Sequence, residues 1–243
     1  MTNTTDESQL KDYYRQTASN YDQMQVHQDD EHHNALKILL GYALDQELTS
    51  ILDVGTGTGR ALLYLKEYIP NLDYRGIELI PELRDIALDK GLDPARIDIG
   101  DGRKLPYADN SFEIVTAFGV LHHSNCPETV VQEMLRVASR AIYISDHNIY
   151  GWGTTFTKTA KQIVRSLFGL KGTRLILTKF KGYHLTDYDG VFYPFSLFDI
   201  LPQLKKSSQI KMIISTKGLA NHLYKEASHI AVLGEIDERS KQL

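Results

Sequence analysis

Leu52-Asp53-Val54-Gly55-Thr56-Gly57-Thr58-Gly59-Arg60 is the stretch on which the fold turns. Residues 51–54 form an apolar run of strand length that stops in glycines at alternate positions, ahead of a helical pattern over 61–68. Glycine lets the backbone turn sharply and leaves bare peptide for a ligand to approach. The helix that follows aims its unsatisfied N–H groups at the same ligand. A turn of this kind at the carboxyl end of a strand stands where open α/β sheets bind their ligands. It is not a dinucleotide fingerprint, because counting G-x-G-x-x-G/A from Gly55 puts Arg60 where glycine or alanine is required.

Outward from the turn the rhythm repeats. Residues 74–78, 96–100, 112–118 and 141–145 read as strands, with helices over 81–90 and 127–137 between them. Strands alternating with helices predict an α/β fold of parallel βαβ units. Upstream, residues 8–26 and 29–44 read as helices. Beyond His147 the alternation stops, so residues 148–205 are expected to form a lid or insertion. Residues 211–216 and 229–235 read as strands with no crossover helix between them, which predicts an antiparallel pair at one sheet edge. Residues 1–8 offer nothing apolar to bury and are expected to be disordered. The expected domain is then 9–147 with 206–243, carrying the insertion 148–205.

A chain of 243 residues suffices for that arrangement. A net charge of -4 gives no reason to expect nucleic-acid binding. The single cysteine, Cys126, excludes an internal disulfide and suits a reducing compartment. The polar, acidic first residues do not read as a secretory signal. No apolar run approaches the roughly 20 residues that span a bilayer. A cytoplasmic chain is expected.

Three further features fall at the ends of strands. Glu78 follows Gly55 by 23 residues, and a carboxylate there can accept two hydrogen bonds from a ribose diol. Asp101 and Gly102 end the next strand and place an acceptor near an adenine amino group. Phe118-Gly119 ends the strand after that and offers an apolar face beside the ring. Together they predict a nucleoside cradle.

At this level the chain resembles the class I S-adenosylmethionine-dependent methyltransferase superfamily. Asp109-Asn110-Ser111-Phe112-Glu113-Ile114-Val115, followed by Val120-Leu121-His122-His123, is similar to the subgroup of ubiquinone- and menaquinone-biosynthesis type. Tyr13-Tyr14, Ala18 and Tyr21-Asp22 match that subgroup's cofactor-covering helix. The resemblance implies a Rossmann-like, seven-stranded, mostly parallel sheet with the last strand antiparallel. It also implies S-adenosylmethionine as cofactor and S-adenosylhomocysteine as product. Asp53 with Gly55, Thr56, Gly57 and Gly59 would accommodate the methionine part, Glu78 the ribose and Asp101 the adenine. Tyr13, Tyr21, Leu79, Gly102, Arg103, Phe118, Gly119 and His123 complete the expected cofactor contacts.

Methyl transfer from a sulfonium is an in-line displacement, so the main task of the protein is to hold a nucleophile close and aligned. A base is needed only where the acceptor must lose a proton. His147 with Asp146, and then His123, are the candidates, each with an equally good reading as a packing residue. Tyr14, His122, Tyr183, His184 and Tyr193 are expected on the acceptor side. Lys158, Lys161, Arg165, Lys171, Arg174, Lys179 and Lys181 occur between His147 and Thr186 without one acid. Such a lid could attract an anionic acceptor or membrane surface, or be a solvated helix face with Ala160, Ile163, Val164, Leu167 and Phe168 on its other side. His27, Asp29, Asp30, Glu31, His32 and His33 read as a solvated helix start, because consecutive helical residues diverge; no metal is expected.

The expected activity is S-adenosylmethionine-dependent methyl transfer to oxygen or nitrogen of a small-molecule acceptor that is anionic, sugar-like or lipid-like. The alternative is a catalytically inactive cofactor-binding regulator or partner subunit. Phe118-Gly119-Val120-Leu121 stands where an Asn-Pro-Pro-Tyr-type tetrapeptide would signal methylation of base or protein amino groups. Expected partners are the acceptor and no nucleic acid, with weak membrane-surface contact through the basic lid, in a monomer or homodimer.

Overall fold

The apolar run ahead of the glycine turn forms β1 (Ser50–Val54) in a computed structural model that describes residues 4–237. β2 (Asp73–Glu78), β3 (Ile97–Ile99), β4 (Phe112–Phe118) and β5 (Ala138–His147) join it in parallel, in the order β3-β2-β1-β4-β5. A small antiparallel hairpin follows, made of β6 (His184–Thr186) and β7 (Gly190–Phe192). The chain re-enters the main sheet as β8 (Ser208–Ser215), and β9 (His229–Ile236) inserts antiparallel between β5 and β8. This is the seven-stranded, mostly parallel, Rossmann-like sheet with its last strand reversed.

The helices are α1 (Thr4–Thr17), α2 (Tyr21–Gln25), α3 (Glu31–Asp45), α4 (Arg60–Tyr68), α5 (Pro81–Asp89), α6 (Pro127–Val137), α7 (Thr155–Leu177), α8 (Leu197–Ser207) and α9 (Leu223–Glu226). Successive strand residues point to opposite faces. Ile51, Ile114 and Tyr143 accordingly pack against Leu39 of α3, Leu62 of α4 and Ala87 of α5. Their neighbours Leu52, Val115 and Ile142 pack against Met134 of α6 and Leu204 of α8. Each such aliphatic side chain contributes roughly 1.5–3 kcal/mol by leaving water.

Four expectations change. The first helix begins at Thr4, so only residues 1–3 of the segment expected to be disordered lie outside the described residues. Asp6 and Glu7 suit its positive N-terminus and find partners in the Tyr193 hydroxyl (2.5 Å) and Arg103 (2.8 Å). That helix does not run to residue 26: the Thr17 hydroxyl donates to the Tyr13 carbonyl (2.9 Å), and a 3₁₀ turn at Ala18–Asn20 separates α1 from α2. The short β3 starts only at Ile97, because Arg96 closes a 3₁₀ turn opened by Asp93 and Pro94. Lastly, the insertion boundary expected at 205 falls inside α8. Leu197, Ile200, Leu201 and Leu204 recur at helical spacing, bury one face in the core and lead directly into β8.

Candidate active site

Two hollows meet at the carboxyl edge of the sheet. The narrow one lies over the ends of β1, β2 and β3 and under α1. Glu78 sits in its wall, where Oε2 accepts the Gly57 N–H (2.7 Å) and Oε1 the Ile80 N–H (2.9 Å). Burial pushes its carboxyl up from the ordinary range, against the pull of these backbone donors. Asp101, at the rim, is gripped by the Arg103 guanidinium, whose Nε lies 2.8 Å from Oδ2. Burial works against its charge, but the hydrogen bonds from Arg103 prevail and lower its pKa. Arg103 also reaches Glu7, which ties α1 down as a cover. Leu10, Tyr14, Leu83, Val191 and Tyr193 form a buried apolar cluster over this wall.

The wider hollow, a cleft of about 930 Å³, shares Tyr14, Tyr21, Gly55, Gly57, Phe118, Gly119 and His123 with the first. Gly57 has φ +56°, and a Cβ there would meet nothing within 4 Å, so its open side is the junction itself. Gly55 is required for a different reason: a Cβ there would lie 2.4 Å from Val120. Asp53 is buried beneath the cleft, accepts from the Thr116 hydroxyl (2.8 Å) and is pushed up by burial to about 7.

A chain of imidazoles lines the far wall. Burial alone would discharge His122, but Asp146 (Nδ1–Oδ1 2.7 Å) and Asp189 (Nε2–Oδ2 3.3 Å) outweigh it and raise its pKa to about 10. Burial likewise opposes charge on Asp146 and Asp189, and the His122 cation holds both well below the usual carboxylate range. Asp146 also accepts the backbone N–H groups of Leu121 (2.8 Å) and His147 (2.6 Å). His147 is stacked on His122. Burial, and then the His122 charge, keep its pKa well below the ordinary histidine value, and its Nδ1 has no hydrogen-bond partner. His123 has both nitrogens engaged, Nδ1 donating to the Val191 carbonyl (2.7 Å) and Nε2 meeting the Tyr14 hydroxyl (2.8 Å). Trp152 stacks nearly parallel to Phe192 (16°) and lies beside His147, giving the cleft one flat apolar wall.

The structure brings most of the expected residues to these two walls. Glu78, Leu79, Asp101, Gly102 and Arg103 line the narrow cavity, Asp53, Thr56, His122 and His147 the cleft, and Tyr21, Gly55, Gly57, Phe118, Gly119 and His123 both. Others stand elsewhere. Tyr13 packs over Gly190 and donates to the Asp187 carbonyl, while its neighbour Tyr14 lines both hollows. Gly59 lines neither hollow; it is the left-handed residue before α4, packed against Leu92 and Ala87. Tyr183 bonds Gln9 and His184 stacks on Phe192, both outside the walls, and Tyr193 faces the narrow cavity instead of the acceptor side. Asp146 is fully buried behind the imidazoles and positions them.

The cluster 27–33 is not simply solvated. Asp30 caps α3 and pairs with Arg60. Glu31 bridges His229 (3.0 Å) and Lys217 (3.2 Å), and burial lowers His32 to about 4. His27, Asp29, Asp30, Glu31 and His32 line the cleft, because α3 starts at its edge, whereas His33 packs against Tyr64. His122, His123 and Asp189 have the spacing of metal ligands, as do His122, Asp146 and His147. The ion pairs and hydrogen bonds above engage the facing atoms of the first set. Asp189 and Trp152 were not foreseen. The one signal for Asp189 was an acidic turn, Asp187-Tyr188-Asp189-Gly190, which reads as a hairpin tip.

Residues 52–141 match a protein family described as methyltransferase domain. The demethylmenaquinone methyltransferase of Deinococcus radiodurans is 36% identical over 99 residues, 39% of this chain and 41% of that protein. Norajmaline N-methyltransferase of Rauvolfia serpentina is 33% identical over 96 residues, 37% of this chain and 32% of that protein. The chain thus matches less than half the length of these curated relatives. Among solved structures, magnesium protoporphyrin IX methyltransferase from Synechocystis PCC 6803 with bound SAH superposes with TM-score 0.64 at 14% identity, over 96% of this chain and 100% of that one. The [4+2]-cyclase SpnF superposes with TM-score 0.63 at 14% identity, over 94% and 96%. At these identities the likeness is one of fold. Residues 52–141 thus resemble a methyltransferase domain of the class I, S-adenosylmethionine-dependent type, with similarity to the menaquinone subgroup.

Proposed function

We propose that this chain transfers the methyl group of S-adenosylmethionine to a hydroxyl oxygen of a small, polar, sugar-like acceptor. The observation that carries this reading is the meeting of a narrow cavity with a wide cleft over Gly55, Gly57, Phe118 and Gly119, which suits a donor on one side and an acceptor on the other.

The narrow cavity fits an adenosyl group. Each Glu78 oxygen keeps acceptor capacity after its one N–H bond, which suits a pair of ribose hydroxyls. Leu79, Leu83 and Val130 supply apolar wall for a base, and Asp101 stands at the rim. When bound, the cofactor supplies an electrophilic methyl. What remains for the chain is to orient the acceptor and take its proton.

A hydroxyl acceptor needs a base and a neutral amine does not. Of the three expected catalytic side chains, Asp146 is fully buried and accepts three N–H groups, and His123 has both nitrogens engaged. His147 lines the cleft and is neutral, and its buried Nδ1 has no hydrogen-bond partner. The charge of His122 makes it a weak base, so the proton moves to His147 as the methyl arrives, not before. His122 in turn favours negative charge growing on the acceptor oxygen.

The lining selects the acceptor. Asp29, Asp30, Glu31, Asp189 and Glu226 outnumber Arg60, Lys158 and Lys217 around the cleft, which disfavours an anion. Lys161 and Arg165, expected to attract one, are instead bound to the Ile149 and Trp152 carbonyls and to Asp199. Dense polar groups with the single indole face of Trp152 suit a polyhydroxylated ring better than an alkyl chain.

The test is methyl transfer from radiolabelled S-adenosylmethionine to a panel of neutral glycosides, sugar phosphates and amines, with products read by NMR. An O-methyl sugar is expected. N-methyl products would overturn the hydroxyl assignment, and cofactor binding without transfer to any acceptor would restore the inactive, regulatory reading.

A further inference from the structure

The outer face of α7 joins two features that water does not favour together. Phe156, Ile163, Leu167 and Phe168 on α7, and Phe180 and Leu185 just beyond it, are exposed large apolar side chains. Phe156 is 83% exposed and Phe180 79%. Positions 156, 163 and 167 repeat at helical spacing and form one stripe. Contiguous apolar surface of this kind marks an interaction site.

The basic residues sort into two groups. Lys161 is bound to backbone carbonyls, Arg165 pairs with Asp199 (3.1 Å), and Arg174 lies over the Tyr193 ring (5.7 Å). These three fasten the helix to the body. Lys171, Lys179 and Lys181 are exposed and take part in none of the ion pairs among the described residues. No acid occurs between residues 148 and 186, so their charge is uncompensated along the whole segment. The arrangement reverses the sequence expectation for part of the helix: basic side chains hold it down, and apolar ones face out.

We propose that this face docks on an anionic membrane surface. Apolar side chains of an amphipathic helix enter the headgroup boundary while lysines meet anionic lipids. No helix among the described residues is long and apolar enough to cross a membrane, and α7 is two helical segments that meet at the non-helical Gly169 (φ +66°, ψ -173°); the first carries the stripe and would lie along the surface, with Lys171 on the second. A second copy is a poorer occupant, because a two-fold contact through this face would set its uncompensated lysines against each other. Docking also has a consequence for the cleft. Trp152, just before α7, and Lys158, in its first turn, line it, so the helix that docks is also one wall of the cleft. The docking itself does not depend on the proposed transfer.

Co-sedimentation with vesicles tests this, comparing phosphatidylcholine alone with phosphatidylcholine containing phosphatidylglycerol. The wild type should sediment with the anionic vesicles and be released by salt. Lys171→Glu/Lys179→Glu/Lys181→Glu should lower the bound fraction at least about tenfold. Phe156→Glu/Leu167→Glu should lower it as well, with S-adenosylhomocysteine titration of both variants reporting that the cofactor domain is folded. Where the paired apolar change disturbs folding, Phe156→Ser replaces it and removes the most exposed ring. Absence of sedimentation with anionic vesicles overturns the proposal, as does equal binding to both vesicle types. So does a dimer in ultracentrifugation that Phe156→Glu dissociates while vesicles are ignored, which would make the face an interface between copies.

Discussion

His147 lies on His122 with ring centroids 4.0 Å apart and planes 20° from parallel, one ring neutral and the other charged. The pair sets both the stability and the chemistry of the cleft. His122 is cationic because two carboxylates hold it, and that charge adds to burial in denying a proton to His147.

Removing the cation should therefore cost stability. His122→Gln leaves Asp146 buried without its counter-charge, which should destabilise the fold by about 3–5 kcal/mol in urea denaturation at neutral pH. The pH dependence has a definite sign. His122 is raised from 6.5 to about 10, so its contribution is complete below pH 6.5 and fades as pH rises toward 10. His147 and His32 are lowered, so their contributions fade in the opposite direction, as pH falls below 6.5. The wild type should lose stability from pH 7 to pH 10, and the variant should show a flatter limb there. Identical alkaline limbs would argue against a charged His122.

His147→Ala should lower turnover by roughly 10²–10⁴-fold, the range of general-base assistance, with S-adenosylhomocysteine affinity unchanged. Because the ring stays neutral well below its ordinary value of 6.5, wild-type turnover should hold as pH falls from 8 through 6.5. An acid limb centred at 6.5 or higher would show that another group takes the proton.

Glu78→Gln should weaken S-adenosylhomocysteine binding by roughly 1–3 kcal/mol, through loss of charge-assisted hydrogen bonds. The amide oxygen can still accept from Gly57 or Ile80, so the fold should persist. Unaltered affinity by calorimetry would remove Glu78 from the ribose position.

The strands and the convergence of Gly55, Gly57, Glu78 and Asp101 on one cavity were legible because both rest on local chemistry. An apolar run ending in glycines, and carboxylates at strand ends such as Glu78 and Asp101, announce themselves by position along the chain. Asp189 did not, because it reaches His122 and His123 only through the β6–β7 hairpin, a contact fixed by tertiary packing. Tyr13 and Tyr14 are adjacent in sequence, and which of them faces the hollows depends on the rotation of α1. The lid charges misled for the same reason: Lys161 and Arg165 look solvated until Ile149 and Asp199 are brought beside them. α8 was absorbed into the lid because the long, irregular stretch before it hides its role as the helix leading into β8.

The central claim is a single cofactor site under the glycine turn, open to the cleft at Gly57. Calorimetric titration of S-adenosylhomocysteine into the wild type and Gly57→Val tests it most directly. One site per wild-type chain is predicted, with binding lost in the variant, whose side chain would fill the junction and sit at φ +56°. A folded wild-type chain that takes up no ligand, or a variant that binds as well as the wild type, would contradict it.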